Sequence, residues 1–188
     1  MIQIKNLSKI VQGRTILDMS NIYVNAGEIN AIVGPTGSGL DVLLKLLIGR
    51  ASPSAGEITL GGLIPGKDQK ALDEKMGVLF QDDSLYANLS AKKNLQFYAR
   101  LYGLPHNRIT DTLRRIGLAD HEQVKVRELP SGLARRLAFG RVILHQPNIL
   151  ILAHPFARCD LDSLRLIKVL LRQEANLGKA IMILDEDT

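Results

Sequence analysis

A short apolar segment that leads into a glycine-rich loop and then into a helical pattern is the feature that most restricts the fold of this chain. Residues 29–33 are mostly apolar, as expected for a buried strand. The loop that follows consists of Gly34, Pro35, Thr36, Gly37, Ser38 and Gly39. Apolar residues then recur at helical spacing over residues 42–47, and Gly49 ends the pattern. This order of strand, glycine loop and helix is typical of α/β proteins with a parallel sheet.

Apolar segments and helical patterns alternate along the rest of the chain. Further buried strands are predicted at residues 76–80, 149–152 and 180–184. Amphipathic helices are predicted at residues 89–102, 108–117, 133–145 and 161–177, and shorter strands at residues 2–4, 22–24, 57–60 and around Leu63. We therefore expect an α/β fold with a mostly parallel sheet, helices on both of its sides, and a helical insertion near residues 82–128.

The composition is that of an ordinary globular protein. Hydrophobic residues make up 46% and charged residues 23% of the 188 residues, which excludes intrinsic disorder and collagen-like repeats. Cys159 is the single cysteine, so internal disulfides and cysteine-based zinc clusters are excluded, and we expect a buried thiol. The first residues lack the apolar core of a signal peptide, and the longest apolar run is too short for a membrane span. We expect a cytoplasmic protein that reaches a membrane only through a partner.

The charge pattern gives little support for nucleic-acid or metal binding. The net charge of +5 is compatible with attraction to nucleic acid or acidic surfaces. The arginine pairs at residues 114–115 and 135–136 are short and have no interleaved aromatic residues, so neither resembles a nucleic-acid platform. The histidines have no spacing that defines a metal site, and no nucleophile elbow is present. We therefore expect neither a metal site nor a hydrolase of another kind.

The glycine loop has the spacing of the phosphate-binding pattern G-x-x-x-x-G-K-[ST] but lacks its last two residues. In that pattern the loop amides surround phosphates, the lysine neutralises them, and the hydroxyl binds magnesium. Leu40 stands at the lysine position and Asp41 at the hydroxyl position. We expect the Asp41 carboxylate to accept hydrogen bonds from the first turn of the helix and to repel phosphate.

Four further segments, taken in chain order, resemble the motifs of one protein family. They are a first strand at residues 2–9, a segment that ends in Gln81, a signature-like segment at residues 129–137, and an apolar approach at residues 145–152. With these segments the chain resembles the nucleotide-binding domain of ATP-binding cassette (ABC) proteins over essentially its whole length. The resemblance implies a P-loop NTPase (RecA-like) fold with an antiparallel β subdomain. It also implies one domain, with a core of residues 1–81 and 129–188 and a helical subdomain of residues 82–128.

Most positions that carry chemistry in that family are changed here. The aromatic residue that stacks on adenine aligns with Val11, the two Walker B carboxylates align with Ala153 and His154, and the switch histidine aligns with Glu186. Alanine cannot ligate magnesium, and phosphoryl transfer depends mostly on charge neutralisation by metal and lysine. Gln81, at the family's glutamine position, is retained. The resemblance thus implies a vestigial phosphate site formed by the loop, Val11 and Gln81.

The signature segment is also altered. The family's L-S-G-G is Leu-Pro-Ser-Gly here, so Pro130 replaces the serine that reaches a partner's γ-phosphate, unless Ser131 shifts register to replace it. Gly132 keeps the last position, and proline removes a backbone donor. Asp160 matches the family's aspartate after Walker B, and it is also expected to cap the following helix.

These losses together predict a catalytically inactive ABC-type domain that acts as a regulatory or scaffolding module. Some bacterial regulators resemble such a domain fused to a LytTR-type DNA-binding domain, and a chain that stops at Thr188 with a basic balance favours this form. DNA would then be bound only through the fused domain. No cofactor is expected, and any binding of ATP with magnesium is expected to be weak.

Two alternative functions remain open. The first is a non-hydrolysing ATP-binding subunit of an ABC transporter that docks on a membrane permease through Gln81 and residues 82–105. The second is a weak nucleotide sensor that uses the remaining glycine loop. The expected partners are a permease, a second ABC domain, a fused regulatory domain or a second copy of the chain.

Overall fold

The computed structural model describes residues 1–186. Its strands are β1 (Ile2–Val11), β2 (Arg14–Met19), β3 (Ile22–Val24), β4 (Ile29–Gly34), β5 (Ala55–Leu60), β6 (Met76–Leu79), β7 (Ile149–Ala153) and β8 (Ala180–Glu186). Its helices are α1 (Leu40–Leu47), α2 (Gln69–Lys75), α3 (Ala91–Leu101), α4 (Asn107–Arg115), α5 (Ser131–Ile143) and α6 (Leu161–Asn176). Short 3₁₀ turns lie at Ala119–His121 and Val126–Glu128.

The central sheet is parallel and has the strand order β4-β8-β7-β6. Every residue of β7 is buried, because its side chains enter two different cores. Leu150 and Leu152 pack with α3 to α6 on one side, whereas Ile149 and Ile151 pack with α1 and the antiparallel strands on the other. Burial on both sides explains the continuous apolar sequence of this strand. The expected α/β fold, a P-loop NTPase fold with a parallel sheet, is confirmed.

The amino-terminal part of the chain forms a separate antiparallel sheet. Strand β1 pairs with β2, β3 and β5, so the expected antiparallel subdomain is present. The strand predicted at residues 2–4 is longer, because residues 5–11 continue the pairing, although Leu7 is the one buried residue among them. The expected strand around Leu63 is wrong: Leu63 forms only a tight reciprocal bridge with Leu60.

Residues 82–128 contain α3, α4 and the two 3₁₀ turns, while their exact limits as a subdomain stay a prediction. The Oγ of Ser90 caps α3 by accepting from the main-chain N–H of Lys93 at 3.2 Å. An ion pair between an exposed arginine and a buried glutamate joins this segment to the core, since Nη2 of Arg115 lies 2.5 Å from Oε1 of Glu174 on α6. Within residues 1–186, no helix combines the length and the apolar character that a membrane crossing requires.

Candidate functional site

The carboxyl ends of the parallel strands surround a cavity of about 520 Å³, named here the loop cavity. It is lined by Pro35, Thr36, Gly37, Ser38, Leu40, Asp41, Leu44, Phe80, Gln81, Asp82, Ala153, His154, Leu184 and Glu186. Strands β4, β6, β7 and β8 all end at this edge, so the topology brings together residues that are far apart in the sequence. Most of the predicted site residues therefore share one cavity. Val11, at the end of the β1–β2 hairpin, and the signature segment are not among its lining residues.

The backbone of the glycine loop keeps the shape that its sequence predicts. Gly37 and Gly39 have φ angles of 83° and 90°, which side-chain-bearing residues rarely adopt. A Cβ on Gly39 would also lie 2.7 Å from the carbonyl oxygen of Ile16, so the approach to the hairpin requires glycine. The N–H of Ser38 donates to the carbonyl of Pro35 at 3.0 Å, which closes the turn before α1 begins at Leu40.

The expectation that Asp41 caps α1 is wrong. Oδ2 of Asp41 lies 3.5 Å from Nζ of Lys45, one helical turn further along. The Asp41 side chain is 72% exposed, and among the described residues no main-chain N–H of the loop or of the first turn of α1 donates a hydrogen bond to its carboxylate. The i,i+4 pairing with lysine therefore holds the carboxylate along the helix surface instead of over its amino terminus.

The Walker B positions form a contact between two strands. Nδ1 of His154 lies 3.0 Å from Oδ1 of Asp185, and the N–H of His154 donates to the carbonyl of Leu184 at 2.8 Å. His154 has a φ of 46°, so β7 turns sharply at its end. The neighbouring Ala153 presents only a methyl group. This arrangement fixes the histidine to β8 and supplies no oxygen ligand from either position.

The loop cavity has the wrong charge for a magnesium triphosphate. Asp41, Asp82 and Glu186 line it, and no lysine or arginine belongs to the described lining residues. A triphosphate would meet these carboxylates with only Lys45 close to one of them. The glycine backbone can still offer amides to an anion. The residues present therefore fit the group in loop shape but not in charge, and the Walker B positions Ala153 and His154 offer magnesium no carboxylate.

The signature segment packs against the start of α6. Pro130 precedes the first residue of α5, and the hydroxyl of Ser131 donates to the carbonyl of Arg158 at 3.1 Å. A Cβ on Gly132 would lie 2.6 Å from Oδ2 of Asp160, so this glycine permits the close approach. Oδ1 of Asp160 accepts from the N–H of Ser163 at 2.7 Å, which confirms its role as a helix cap. This hydrogen bond also lowers the pKa of the Asp160 carboxyl.

A second cavity of about 450 Å³, named here the groove, was missed by the sequence analysis. Its lining residues are Ile48, Gly49, Arg50, Gln69, Asp73, Met76, Val78, Phe80, Tyr102 and Arg141. The Arg50 guanidinium lies 5.7 Å from the centre of the Phe80 ring, and that of Arg141 lies 5.3 Å from the Tyr98 ring. Nη2 of Arg141 also donates to the carbonyl of Val78 at 3.1 Å. The lining residues of the groove come from elements that are far apart in the sequence. The aromatic residues that follow β6 are therefore the only sequence signal that could have indicated it.

An exposed aromatic cluster lies next to the groove. The Tyr86 and Phe97 rings meet edge to face with centres 4.8 Å apart, and Phe97 meets Tyr98 in the same way at 5.2 Å. The hydroxyl of Tyr98 donates to the carbonyl of Ser84 at 2.9 Å. Leu101 extends this apolar surface and is 66% exposed. Such a patch beside a cavity is typical of a protein interaction surface.

The described part of the chain contains neither a metal-binding cluster of side chains nor a buried cysteine. Residues 1–186 contain no group of three or more His, Cys, Asp or Glu side chains that could hold a metal ion. Cys159, expected to be buried, is only partly buried. Burial is the main cause that raises the pKa of its thiol, which keeps it protonated at neutral pH.

Comparison with known proteins agrees with the fold. A family model described as "ABC transporter" matches residues 17–157. The "Linearmycin resistance ATP-binding protein LnrL" of Bacillus subtilis is 28% identical over 186 residues, which cover 97% of this chain and 60% of that protein. The chain thus spans less than two thirds of this relative.

Two further relatives are similar over most of the chain. The "Intermembrane phospholipid transport system ATP-binding protein MlaF" of Haemophilus influenzae is 33% identical over 182 residues, or 92% of this chain and 69% of that protein. The structure of cbiO1 from Clostridium perfringens, described as part of the ABC transporter complex cbiONQ, superposes with a TM-score of 0.86 at 25% identity, over 100% of this chain and 78% of the other. With the family match over residues 17–157, these similarities establish that the chain belongs to the ABC transporter family as an ATP-binding domain.

Proposed function

We propose that this chain is a subunit of an ABC transporter that docks on a membrane permease and does not hydrolyse ATP. The observation that carries the proposal is the groove beside Gln81, bordered by the exposed aromatic cluster of Tyr86, Phe97 and Tyr98. Docking was expected at Gln81 and residues 82–105; the aromatic cluster lies in that range, whereas Tyr102 is the one lining residue of the groove that does. In this function the chain lies at the cytoplasmic face of the membrane, where a second ABC domain or a second copy of this chain completes the assembly.

The chemistry of the groove indicates what it receives. Arg50 and Arg141 supply two cations against the single carboxylate of Asp73, and the groove also has aromatic faces. A short amphipathic helix of the permease, with an acidic residue among apolar ones, complements this combination. The guanidinium groups are already oriented over aromatic rings, so little side-chain entropy is lost on docking.

The absence of hydrolysis rests on the residues of the loop cavity. Leu40 supplies no charge to a phosphate, Ala153 supplies no ligand to magnesium, and Glu186 brings a negative charge where the transferring phosphate would lie. Charge neutralisation and positioning provide most of the catalysis of phosphoryl transfer. Because this chain lacks the residues for charge neutralisation and positioning, docking is the function that its remaining surfaces support.

The conformation of the glycine loop favours a variant of this function in which the subunit also binds a nucleotide. Because Gly37 and Gly39 keep the loop conformation, a nucleotide can bind weakly as a ligand that is not turned over. The regulatory module that the sequence analysis favoured first, including a LytTR-type fusion, gains no support from the similar proteins, which are named as transporter ATP-binding proteins.

Docking is tested with the ABC-type permeases encoded in the same genome, each co-expressed with this chain and purified in detergent. The variant Arg50→Glu reverses a groove charge, and Arg172→Glu makes the same change at an exposed position of α6 as the matched control. We expect the wild type and Arg172→Glu to co-purify with the permease, and Arg50→Glu to lose at least about tenfold in affinity. Equal binding by all three proteins, or binding by none, contradicts docking through the groove.

Hydrolysis and nucleotide binding are measured separately on the purified chain. We expect no phosphate release above a protein-free blank, and no thermal stabilisation at millimolar magnesium-ATP. Stabilisation without phosphate release identifies the weak-ligand variation. Steady turnover that survives a second purification step contradicts the non-hydrolysing function.

A further inference from the structure

A completely buried arginine lies beneath the loop cavity. Arg135 of α5 is 0% exposed, and its guanidinium meets main-chain carbonyls at the ends of two neighbouring strands. Nη1 donates to the carbonyls of Phe80 at 2.9 Å and Gln81 at 3.3 Å, after β6. Nη2 donates to those of Ala153 at 3.1 Å and His154 at 2.6 Å, after β7, and Nε to that of Pro155 at 3.3 Å. All three nitrogens are therefore occupied by structural contacts.

An ion pair completes this arrangement. Oδ1 of Asp83 lies 3.0 Å from Nη1 of Arg135 and 3.2 Å from Nη2 of Arg158, which approaches from the solvent side. Nη2 of Arg158 also donates to the carbonyl of Gln81 at 3.1 Å. The segment from Phe80 to Asp83 is thus held between two guanidinium groups, one inside the protein and one outside.

The same segment separates the two cavities. Phe80 lines both the loop cavity and the groove, whereas Gln81 lines only the loop cavity of the two. Phe80 and Gln81 therefore form a shared wall, and its position determines the shape of both spaces. Main-chain amides of residues 81–83 make no backbone hydrogen bond among those described for residues 1–186, so regular secondary structure does not fix this wall.

We propose that Arg135 is a positioning residue that fixes the shared wall in the absence of any ligand. Five N–H donors in a rigid fork satisfy carbonyls from two loops at once, which a point charge on a flexible stem cannot do. The wall is then set from within the fold by α5, whose first residues are the signature segment. This role concerns the chain alone, so it holds whether or not a permease docks.

The test uses tryptophan fluorescence, because the chain has no tryptophan of its own. Phe80→Trp places a single reporter in the wall of the ligand-free protein. Acrylamide quenching is then compared in four backgrounds: the otherwise unchanged chain, Arg135→Gln, Arg135→Lys and Arg136→Gln. Arg136 is the matched control, because it lies on the same helix and its Nε donates to Ser163 Oγ at 2.7 Å, away from the wall.

We expect the quenching rate to rise about threefold in both Arg135 variants, and to stay unchanged in Arg136→Gln, because only Arg135 restrains the wall. Failure of lysine to rescue separates the guanidinium geometry from a simple need for positive charge. If the Arg135 variants do not fold, Asp83→Asn and Arg158→Gln remove the outer contacts, and each is expected to raise the quenching rate. Unchanged quenching in the folded variants overturns the proposal, as does an equal rise in Arg136→Gln.

Discussion

The imidazole Nδ1 of His154 lies 3.0 Å from Oδ1 of Asp185, and this contact joins the carboxyl ends of β7 and β8. His154 lines the loop cavity, and both side chains line a neighbouring cavity together with Gln81 and Glu186. At the position where the family carries a carboxylate, this chain therefore has a histidine that links two strands. A carboxylate placed there would face Asp185 at the same short distance.

Replacing this histidine by an acid is expected to destabilise the fold without restoring hydrolysis. His154→Glu places two carboxylates together, which lowers the free energy of unfolding by about 1–2 kcal/mol at pH 7.5. The loss is expected to be smaller at pH 5, because protonation of either carboxylate removes the like-charge repulsion. Urea unfolding at both pH values measures it, with His154→Gln as the neutral control that keeps a donor for Asp185. Equal losses in both variants at both pH values contradict like-charge repulsion as the cause.

Restoring the local charge of the phosphate loop is expected to restore nucleotide binding. The double variant Leu40→Lys with Asp41→Ser adds a cation and removes an anion beside a loop whose backbone is already shaped for phosphate. Calorimetric titration with magnesium-ATP is expected to give a Kd of about 1 mM or tighter, against no heat for the wild type. Hydrolysis stays absent, because Ala153 still cannot hold magnesium. No gain in binding would place the block at Val11 or in the loop geometry.

The parallel sheet could be predicted because β7 and β8 are apolar on both faces, which leaves a clear pattern in the sequence. Strand β2 and helix α2 were missed for the opposite reason. β2 buries only Leu17 and α2 only Leu72, so neither shows a periodicity that can be recognised.

The candidate site likewise has parts that could be predicted from the sequence and parts that could not. The glycine loop could be placed from its own residues, since its conformation is local. The contacts of Arg135 could not, because they join residues separated by 18 to 55 positions, and an arginine on a helix usually lies at the surface. The pairing of Asp41 with Lys45, one helical turn further along, prevailed over the cap that was expected.

Removing the buried carboxylate of Glu174 is expected to cost about 3–5 kcal/mol of unfolding free energy. This fully buried side chain pairs with Lys179 at the start of β8 and with Arg115 of α4, so Glu174→Gln leaves two cations without their partner. Glu128→Gln is the control, because Glu128 pairs with Arg127 at the exposed surface and its loss costs less than about 1 kcal/mol. Urea unfolding of both variants measures the difference. Similar losses would show that the buried pair contributes no more than a surface one.

Protonation of His145 is expected to make the fold less stable in mild acid. Burial lowers the pKa of this histidine from 6.5 to about 4, assisted by Lys179 and Arg141, and its ring stacks on Tyr102 with centres 4.0 Å apart. The unfolded chain therefore binds a proton between these two pH values while the folded chain does not, so stability falls as the pH drops through this window. The contribution is about 2 kcal/mol between pH 8 and pH 5.

The variant His145→Gln is expected to lower stability at pH 8 but to flatten its dependence on pH, whereas His106→Gln, at an exposed position, leaves the slope unchanged. Urea unfolding at several pH values from 8 to 5 measures both slopes. A slope in His145→Gln as steep as that of the wild type would assign the acid sensitivity to other groups.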